Sequence, residues 1–482
     1  MYVYAPPREG GALAQKVSGF RQLESAHFSL RTDLPPDEAK KALVRAERTR
    51  EVVLAFFPAA VLPSAREPLV VLRSLDDFVR LRRTALVVQA PEEVLVVPAD
   101  PEDLASGLIA RALVTRLVPT APAWLQAGLS HHLGSIQVKA DARGTFAHVG
   151  EPDPGLTARL QREGGLDLAR ALSMRRCELD RVPEAERATF EANAWLLVQT
   201  MAADQPAGLH ALLAKLSAGE PVPKAIAAIL GPDGAGALAP RAMALLGRNE
   251  LAASRVPLGP EPEVLADRKM PPAEAHALRA LLHLSSLLHP MPALQVQRAH
   301  VSTDFARRLD PKNPSVRVVA ARLATGSVGA VPVAREGTNA APDDWRTWWM
   351  LARALEDRPE DAAEWQAAAK RAATRGAAHG AALVLGARAA LAGGDAKQAE
   401  RLAAQAAWRQ PASPEAFAAL SEASQRLGKC EAAARSARAA LERSMLCDDE
   451  EAWGKERGKV EALEAKCAPA VAPPPPVVDG GA

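Results

Sequence analysis

The chain has 482 residues, 48% of them hydrophobic and 24% charged, with 59 Lys and Arg set against 57 Asp and Glu. That length allows two to four domains, and the composition is that of a globular protein rather than a disordered or fibrous one. A net charge of +2, with acids and bases interspersed, gives no general attraction to nucleic acid, and no run of about twenty apolar residues offers a membrane span. Aromatic residues make up only 4% while Ala and Arg are abundant, a bias that favours Ala-rich helices and that a GC-rich genome also produces.

The first half reads as mixed α/β. Ala26–Thr32 (A-H-F-S-L-R-T) alternates apolar and polar residues and predicts a strand. Pro36–Phe57 has helical periodicity, and Pro35-Pro36 suits its start. Pro68–Leu72 (P-L-V-V-L) and Glu93–Val97 (E-V-L-V-V) are the short apolar runs expected of buried strands. Helix Glu102–Val118 comes next, then a Pro-bounded turn and helix Ala123–Leu133. Phe190–Ala203, Ala207–Ser217 and Val222–Leu230 predict a compact helical subdomain.

Two stretches in this half carry a resemblance. Pro122–Ser130 reads P-A-W-L-Q-A-G-L-S, and F-E-A-N-A-W-L-L-V-Q-T-M is followed by G-L-H-A-L-L-A-K-L-S-A-G-E. With the order of strand, helix, two strands and paired helices, residues 24–231 resemble the gluzincin-like "peptidase MA" family of bacterial metallopeptidases. The resemblance implies an α+β domain in which a helix bearing H-E-x-x-H precedes P-x-W-L-x-E-G-L-A, whose Glu completes a zinc site. This chain departs from that pattern at each ligand. Ala127 stands where the Glu belongs, and Asp103–Val118 contains no His.

A catalytic zinc needs about three ligands from His, Glu, Asp or Cys and an open position for water. The corresponding helix offers G-L-I-A-R-A-L-V-T-R over Gly107–Arg116, and arginine stays cationic and cannot coordinate. None of the ten His forms H-E-x-x-H, H-x-x-E-H or H-x-H. The expectation is a pseudoenzyme with no catalytic residue, no metal ligand and no cofactor. The alternative is a zinc-dependent peptidase with a relocated site drawn from His131, His132 and His148. Against it, neighbours on a helix point about 100° apart, so His131 and His132 do not readily share one ion. Gly128-Leu129-Ser130 begins like a nucleophile elbow, but His132 replaces the closing glycine and Ser130 falls inside a helix.

Met1–Gly19 lacks the charged-then-apolar pattern of a secretory signal, so the chain as written is expected in the cytoplasm. Relatives in the resembled architecture are often exported or lipid-anchored, and a start lying upstream would place this chain in the cell envelope. Cys177 stands alone, while Cys430, Cys447 and Cys467 lack metal-ligand spacing. They read as unpaired buried thiols, with a Cys447–Cys467 disulfide as the other possibility.

A Pro- and Gly-punctuated stretch, Arg255–Pro272, then predicts a linker. The Gly-rich run Gly231–Gly236 before it lacks the Lys-Ser/Thr ending of a phosphate loop and reads as a plain loop. From there to Ser444 only helices are expected. Gly394 and Gly428 lie 34 residues apart, Gly326 lies two such steps before Gly394, and Glu360 fills the missing slot. Ala399 aligns with Ala433, and Ala372 with Ala406 and Ala440; Trp349 and Phe417 share an early helical position. These columns resemble the tetratricopeptide (TPR) repeat, in which Gly permits the turn between paired helices and small residues let them approach. Units are expected near Lys312, Arg346, Gly380 and Pro414, with a looser one at Ala273–Pro311. His276, His283 and His289 read as surface or interface histidines, and Trp345, Trp348 and Trp349 as packing anchors.

The expected organisation is an N-terminal extension (1–23), a degenerate α+β gluzincin-like domain (24–250), a linker (251–272), an all-α TPR-like helical solenoid (273–446), a capping helix (447–467) and a Pro-rich tail (468–482). The expected function is protein–protein interaction or scaffolding, with a protein or peptide in the solenoid groove. Stacked repeats line such grooves with the first helix of each pair. The repeat phase points to Met350, Asp357, Arg388, Glu422, Gln425 and Arg426. A purely structural part in an envelope assembly would leave the same sequence pattern.

Overall fold

The computed structural model describes residues 19–57, 66–73, 86–88, 94–99, 102–142, 144–163, 167–173, 182–248, 254–284 and 293–444, with 458, 460–462 and 465–466 near the C-terminus. In chain order, β1 (Arg21–Glu24), β2 (Phe28–Thr32), α1 (Pro36–Phe56), β3 (Glu67–Leu72), β4 (Leu86–Val88) and β5 (Val94–Pro98) lead to α2 (Glu102–Leu117) and α3 (Ala123–Gly134). A hairpin of β6 (Gln137–Asp141) and β7 (Gly144–Val149) follows, then α4 (Pro154–Arg162), α5 (Leu168–Ser173), α6 (Glu184–Asp204), α7 (Pro206–Ser217), α8 (Val222–Leu230) and α9 (Ala239–Arg248). Strands β8 (Ser254–Pro257) and β9 (Ala266–Lys269) close the mixed region.

The main sheet runs β4-β5-β3-β2-β1-β9, with β2, β3 and β5 parallel and the outer strands antiparallel. Its centre explains the unbroken apolar runs. Leu69, Val71, Leu95 and Val97 enter a core with α1, α2 and α3, while Val70, Leu72, Val94 and Val96 enter a second core on the opposite face. A strand covered on both sides has no polar face to show. The second core is closed by Ala275, Leu278 and Leu282 of α10 (Pro272–Leu284), the first helix of the C-terminal half.

The described part of the expected 251–272 linker, from Ser254 to Pro272, is therefore built into the sheets rather than left as a tether. β8 pairs antiparallel with β7, and β9 pairs antiparallel with β1 in the main sheet. The polar, Pro-punctuated sequence hid them because β9 is an edge strand with all four side chains exposed; such a strand is held by backbone hydrogen bonds and needs no apolar alternation. β1 likewise begins inside the stretch read as an extension. The joining segment completes the main sheet and α10 closes a core against it, so the chain is not two bodies on a tether.

The C-terminal half is helices in antiparallel pairs: α10 with α11 (Ala293–Leu309), α12 (Pro314–Ala324) with α13 (Ala330–Ala340), α14 (Trp345–Leu355) with α15 (Ala362–Arg375), α16 (Gly380–Ala392) with α17 (Ala396–Arg409), and α18 (Pro414–Arg426) with α19 (Cys430–Ser444). Starts are set locally. Asn313, Asp344 and Ser413 each accept a hydrogen bond from a backbone N–H of the first turn of α12, α14 and α18, satisfying donors that have no partner within the helix. The turn glycines Gly326, Gly394 and Gly428 have φ of 79°, 81° and 73°, a region open to glycine at little cost. At the turn between α14 and α15 a short 3₁₀ segment, Pro359–Asp361, replaces the glycine. The small-residue columns are buried: Ala372, Ala399, Ala406 and Ala440 are fully inaccessible and Ala433 nearly so. A side chain on Gly386 would meet the Ala373 methyl at 2.4 Å, which shows how closely α16 and α15 approach.

His276 and His283, expected at a surface or interface, lie inside α10 where it is wedged between sheet and array, at 3% and 1% exposure; His289 lies outside the described residues. Trp345 stacks on His379 at 4.4 Å and Trp349 is buried, while the Trp348 indole donates to the Pro342 carbonyl at 2.7 Å. All three anchor the α14 packing. Cys430 is an exposed free thiol rather than a buried one; Cys177, Cys447, Cys467, most of the expected capping helix and the Pro-rich tail lie outside the described residues. Among the described residues no helix is long and apolar enough to cross a membrane.

Candidate functional site

Two places are candidate sites: the α2–α3–α6 contact that carries the peptidase-like motif, and the face made by the first helices of the array. The motif helix α3 is buried along almost its whole length, with Trp124 at 2% and Ala127 at 3% exposure. It packs on α2 and crosses α6 closely. A Cβ on Gly128 would stand 2.3 Å from the Ala194 carbonyl oxygen, and one on Gly134 would stand 2.5 Å from the Gly107 Cα. The position of the expected Glu ligand is thus a methyl in an apolar core. Ser130 donates to the Gln126 carbonyl within the helix at 2.6 Å, the ordinary fate of a helical serine and far from a strained elbow.

The three histidines of the alternative zinc site diverge. His132 is fully buried and its Nδ1–H donates to Gln199 Oε1 at 2.8 Å, an assignment fixed because Gln199 Nε2 already donates to the Gly150 carbonyl at 2.7 Å. Burial pushes the His132 pKa down, outweighing the Gln199 bond, so the ring is neutral. Phe56 stands edge-on to it at 5.7 Å, and Gly150, at φ 82°, leaves no room for a side chain against the imidazole. His131 points instead to Glu191 of α6, 3.6 Å away, beside Arg111 of α2 at 4.0 Å from the same carboxylate. Burial raises the Glu191 carboxyl, but the His131 hydrogen bond and the charges of His131, Arg111 and Arg187 prevail and hold it below the usual carboxylate range. His148 sits on β7, 3.6 Å from Glu151 and 3.5 Å from Lys139 Nζ. Each ring has a different partner, Glu191 and Gln199 at separate places on α6 and Glu151 and Lys139 beside β7, and among the described residues no three His, Cys, Asp or Glu are grouped to hold a metal. The relocated site is not assembled.

On the array, first helices pack on the next first helices along the whole series, α10 on α12, α12 on α14, α14 on α16 and α16 on α18, while second helices pack chiefly on first ones. The first helices therefore form one continuously packed row. Of the six residues expected to line a groove, Met350 does not face out: it is 3% exposed in a core with Trp345, Leu351 and Leu385. Helix α14 starts at Trp345, one residue before the expected Arg346, and one residue of shift turns a helix face by about 100°. Asp357 is exposed in the turn after α14. Arg388 pairs with Glu356, Arg426 donates to Glu422 at 2.6 Å and to the Leu391 carbonyl at 2.5 Å, and Gln425 is half-buried.

Three residues of this face escaped the sequence reading: Arg322, Arg353 and Glu356. Counted from the helix starts, Arg322, Arg353, Arg388 and Glu422 are each the ninth residue of their helix. The signal was present in the caps Asn313, Asp344 and Ser413, but counting from the turn glycines scrambles it because α12 and α14 are 11 residues long and α16 and α18 are 13.

No protein-family model matches the chain, and no curated protein does. Among solved structures, similar chains include a thermophilic TPR protein of Thermus thermophilus (17% identity, 38% of this chain and 98% of that one, TM-score 0.28). Others are PilW, a type IV pilus biogenesis factor (20% identity, 39% and 92%, TM-score 0.29), and yeast Tom70 (14% identity, 75% and 73%, TM-score 0.30). The class defined by the helix pairs, turn glycines and alanine columns of this chain is that of a TPR-like helical array, here joined through a common core to an α+β domain.

Proposed function

We propose that the chain is a non-enzymatic protein in which a peptidase-like α+β domain supports a TPR-like array, and that it acts by docking a protein or peptide on the first-helix face. The observation that carries this reading is the continuous packing of successive first helices, which leaves one face running the length of the array. The peptidase-like assignment of residues 24–250 rests on the motif of α3, on the strand–helix–strand order before it, and on the direct packing of α2 against α3. The Ala127 methyl and the Glu191–Arg111–His131 cluster support loss of chemistry there.

The test is site-specific photo-crosslinking in the cell that makes the protein, with benzoylphenylalanine at Asp357 or Gln425 on the first-helix side and at Arg401 or Arg435 on exposed second-helix surfaces. The reading expects one defined protein adduct from the first two positions and none from the others. Equal labelling from both faces, or none from either, would overturn it.

A further inference from the structure

The first-helix face carries an arrangement of charge that selects its occupant. Arg322, Arg353 and Arg388 occupy the same position in three successive first helices, so stacking the repeats stacks guanidiniums. A row of like charge is unfavourable unless acids intervene. One acid does: Glu356 pairs with Arg353 on its own helix and with Arg388 on the next. Nothing equivalent lies at the step before. Arg322 has no carboxylate partner among the described residues, and the Arg353 guanidinium is the charge that bears on it. Burial and that repulsion both push the Arg322 pKa down. At the far end Glu422 replaces the arginine and is satisfied by Arg426, so the row ends there. Asp357 lies beyond the end of α14 and pairs with none of the three.

Arg353 and Arg388 thus share a single carboxylate while Arg322 pairs with none among the described residues, and the shortfall is at the α12–α14 step. We infer that this stretch of the groove binds an acidic segment of a partner protein, with a carboxylate of the partner seated between Arg322 and Arg353. Arginine suits this task because its planar fork binds a carboxylate through two parallel hydrogen bonds and stays charged when partly desolvated. The Arg353 guanidinium lies 5.8 Å from the Trp349 ring and pairs with Glu356, contacts that favour one orientation of its fork and reduce what binding has to order. The inference rests on the docking reading above and adds the chemistry of the docked segment.

The probe is a fluorescein-labelled hexaglutamate peptide, with hexaglutamine as the neutral counterpart, titrated with the full chain by anisotropy. Expected is saturable binding of hexaglutamate, absent for hexaglutamine and weakened by salt as exposed charges are screened. Arg353→Glu reverses an exposed charge, and Arg322→Met keeps the apolar stem of a half-buried one. Each is expected to weaken binding about tenfold or more, the loss of a charge-assisted hydrogen-bonded pair, with unchanged circular dichroism. Hexaglutamate that fails to bind, binds no better than hexaglutamine, or binds both variants as tightly as the parent would overturn the inference. Such a result leaves the docking face to be judged by its own crosslinks: a partner captured at Asp357 and retained by Arg353→Glu would keep the face and discard the acidic segment.

Discussion

Replacing Gly128 by Ala tests whether this glycine is needed where α3 crosses α6. Gly128 and Gly107 are both interior to helices, so Ala at either gains the same intrinsic helix propensity, about 0.8–1 kcal/mol. Their surroundings differ. At Gly107 the nearest atoms to a new Cβ are Ser130 O at 3.7 Å and Gly134 Cα at 4.0 Å, ordinary contact distances. At Gly128 they are Ala194 O at 2.3 Å, Val198 Cγ2 at 2.5 Å and Ala194 C at 2.9 Å. The valine can rotate, but the carbonyl belongs to the backbone of α6 and moves only if the helices separate. Overpacking of this kind costs about 1–3 kcal/mol, and contact with backbone places Gly128→Ala toward the upper end. The net expectation is a stability gain of about 0.5–1 kcal/mol for Gly107→Ala and a loss of about 1–2 kcal/mol for Gly128→Ala. Urea unfolding of the full chain, followed by tryptophan fluorescence, reads the difference, because Trp124 and Trp195 are buried on α3 and α6. Gly128→Ala as stable as the parent would refute the claim that this glycine is needed for the α3–α6 crossing.

Ala127→Glu places a carboxylate at a site 3% exposed and is expected to cost about 3 kcal/mol or more, with no zinc-dependent proteolysis on a casein substrate; activity in that variant would sink the pseudoenzyme reading. Gly394→Ala meets no atom within 4 Å but must hold φ 81°, so it should lose about 1–2 kcal/mol from backbone strain alone, and Gly394→Asn less, as read by urea midpoint. His276, stacked on Phe305 at 5.5 Å, is pushed down to about 4 by burial and by the Arg279 charge. Its unfolded pKa is about 6.5, so the unfolded chain binds the extra proton first. The stability it contributes is whole above about pH 6.5 and is lost as pH falls toward about 4, at up to about 1.4 kcal/mol per pH unit. His276→Gln should flatten that part of the pH dependence of chemical unfolding, and an unchanged slope would show that another group sets it.

The sequence by itself determined what local physics determines. Apolar runs located β3 and β5, proline and periodicity located α1 and α3, and the glycines at 326, 394 and 428 marked turns whose positive φ only glycine takes cheaply. Tertiary structure decided the rest. Strands β8 and β9 are held by backbone bonds to distant β7 and β1, and four-residue strands with at most one buried side chain leave no periodic trace. His132 is a core residue only because Gln199 and Gly150 arrive from α6 and the end of β7. Met350 is buried and Arg353 open because α14 begins one residue earlier than the glycine phase implied. The arginine row exists only once α12, α14 and α16 are stacked with their capped ends in register, since like charges 31 and 35 residues apart in the chain become neighbours through packing alone.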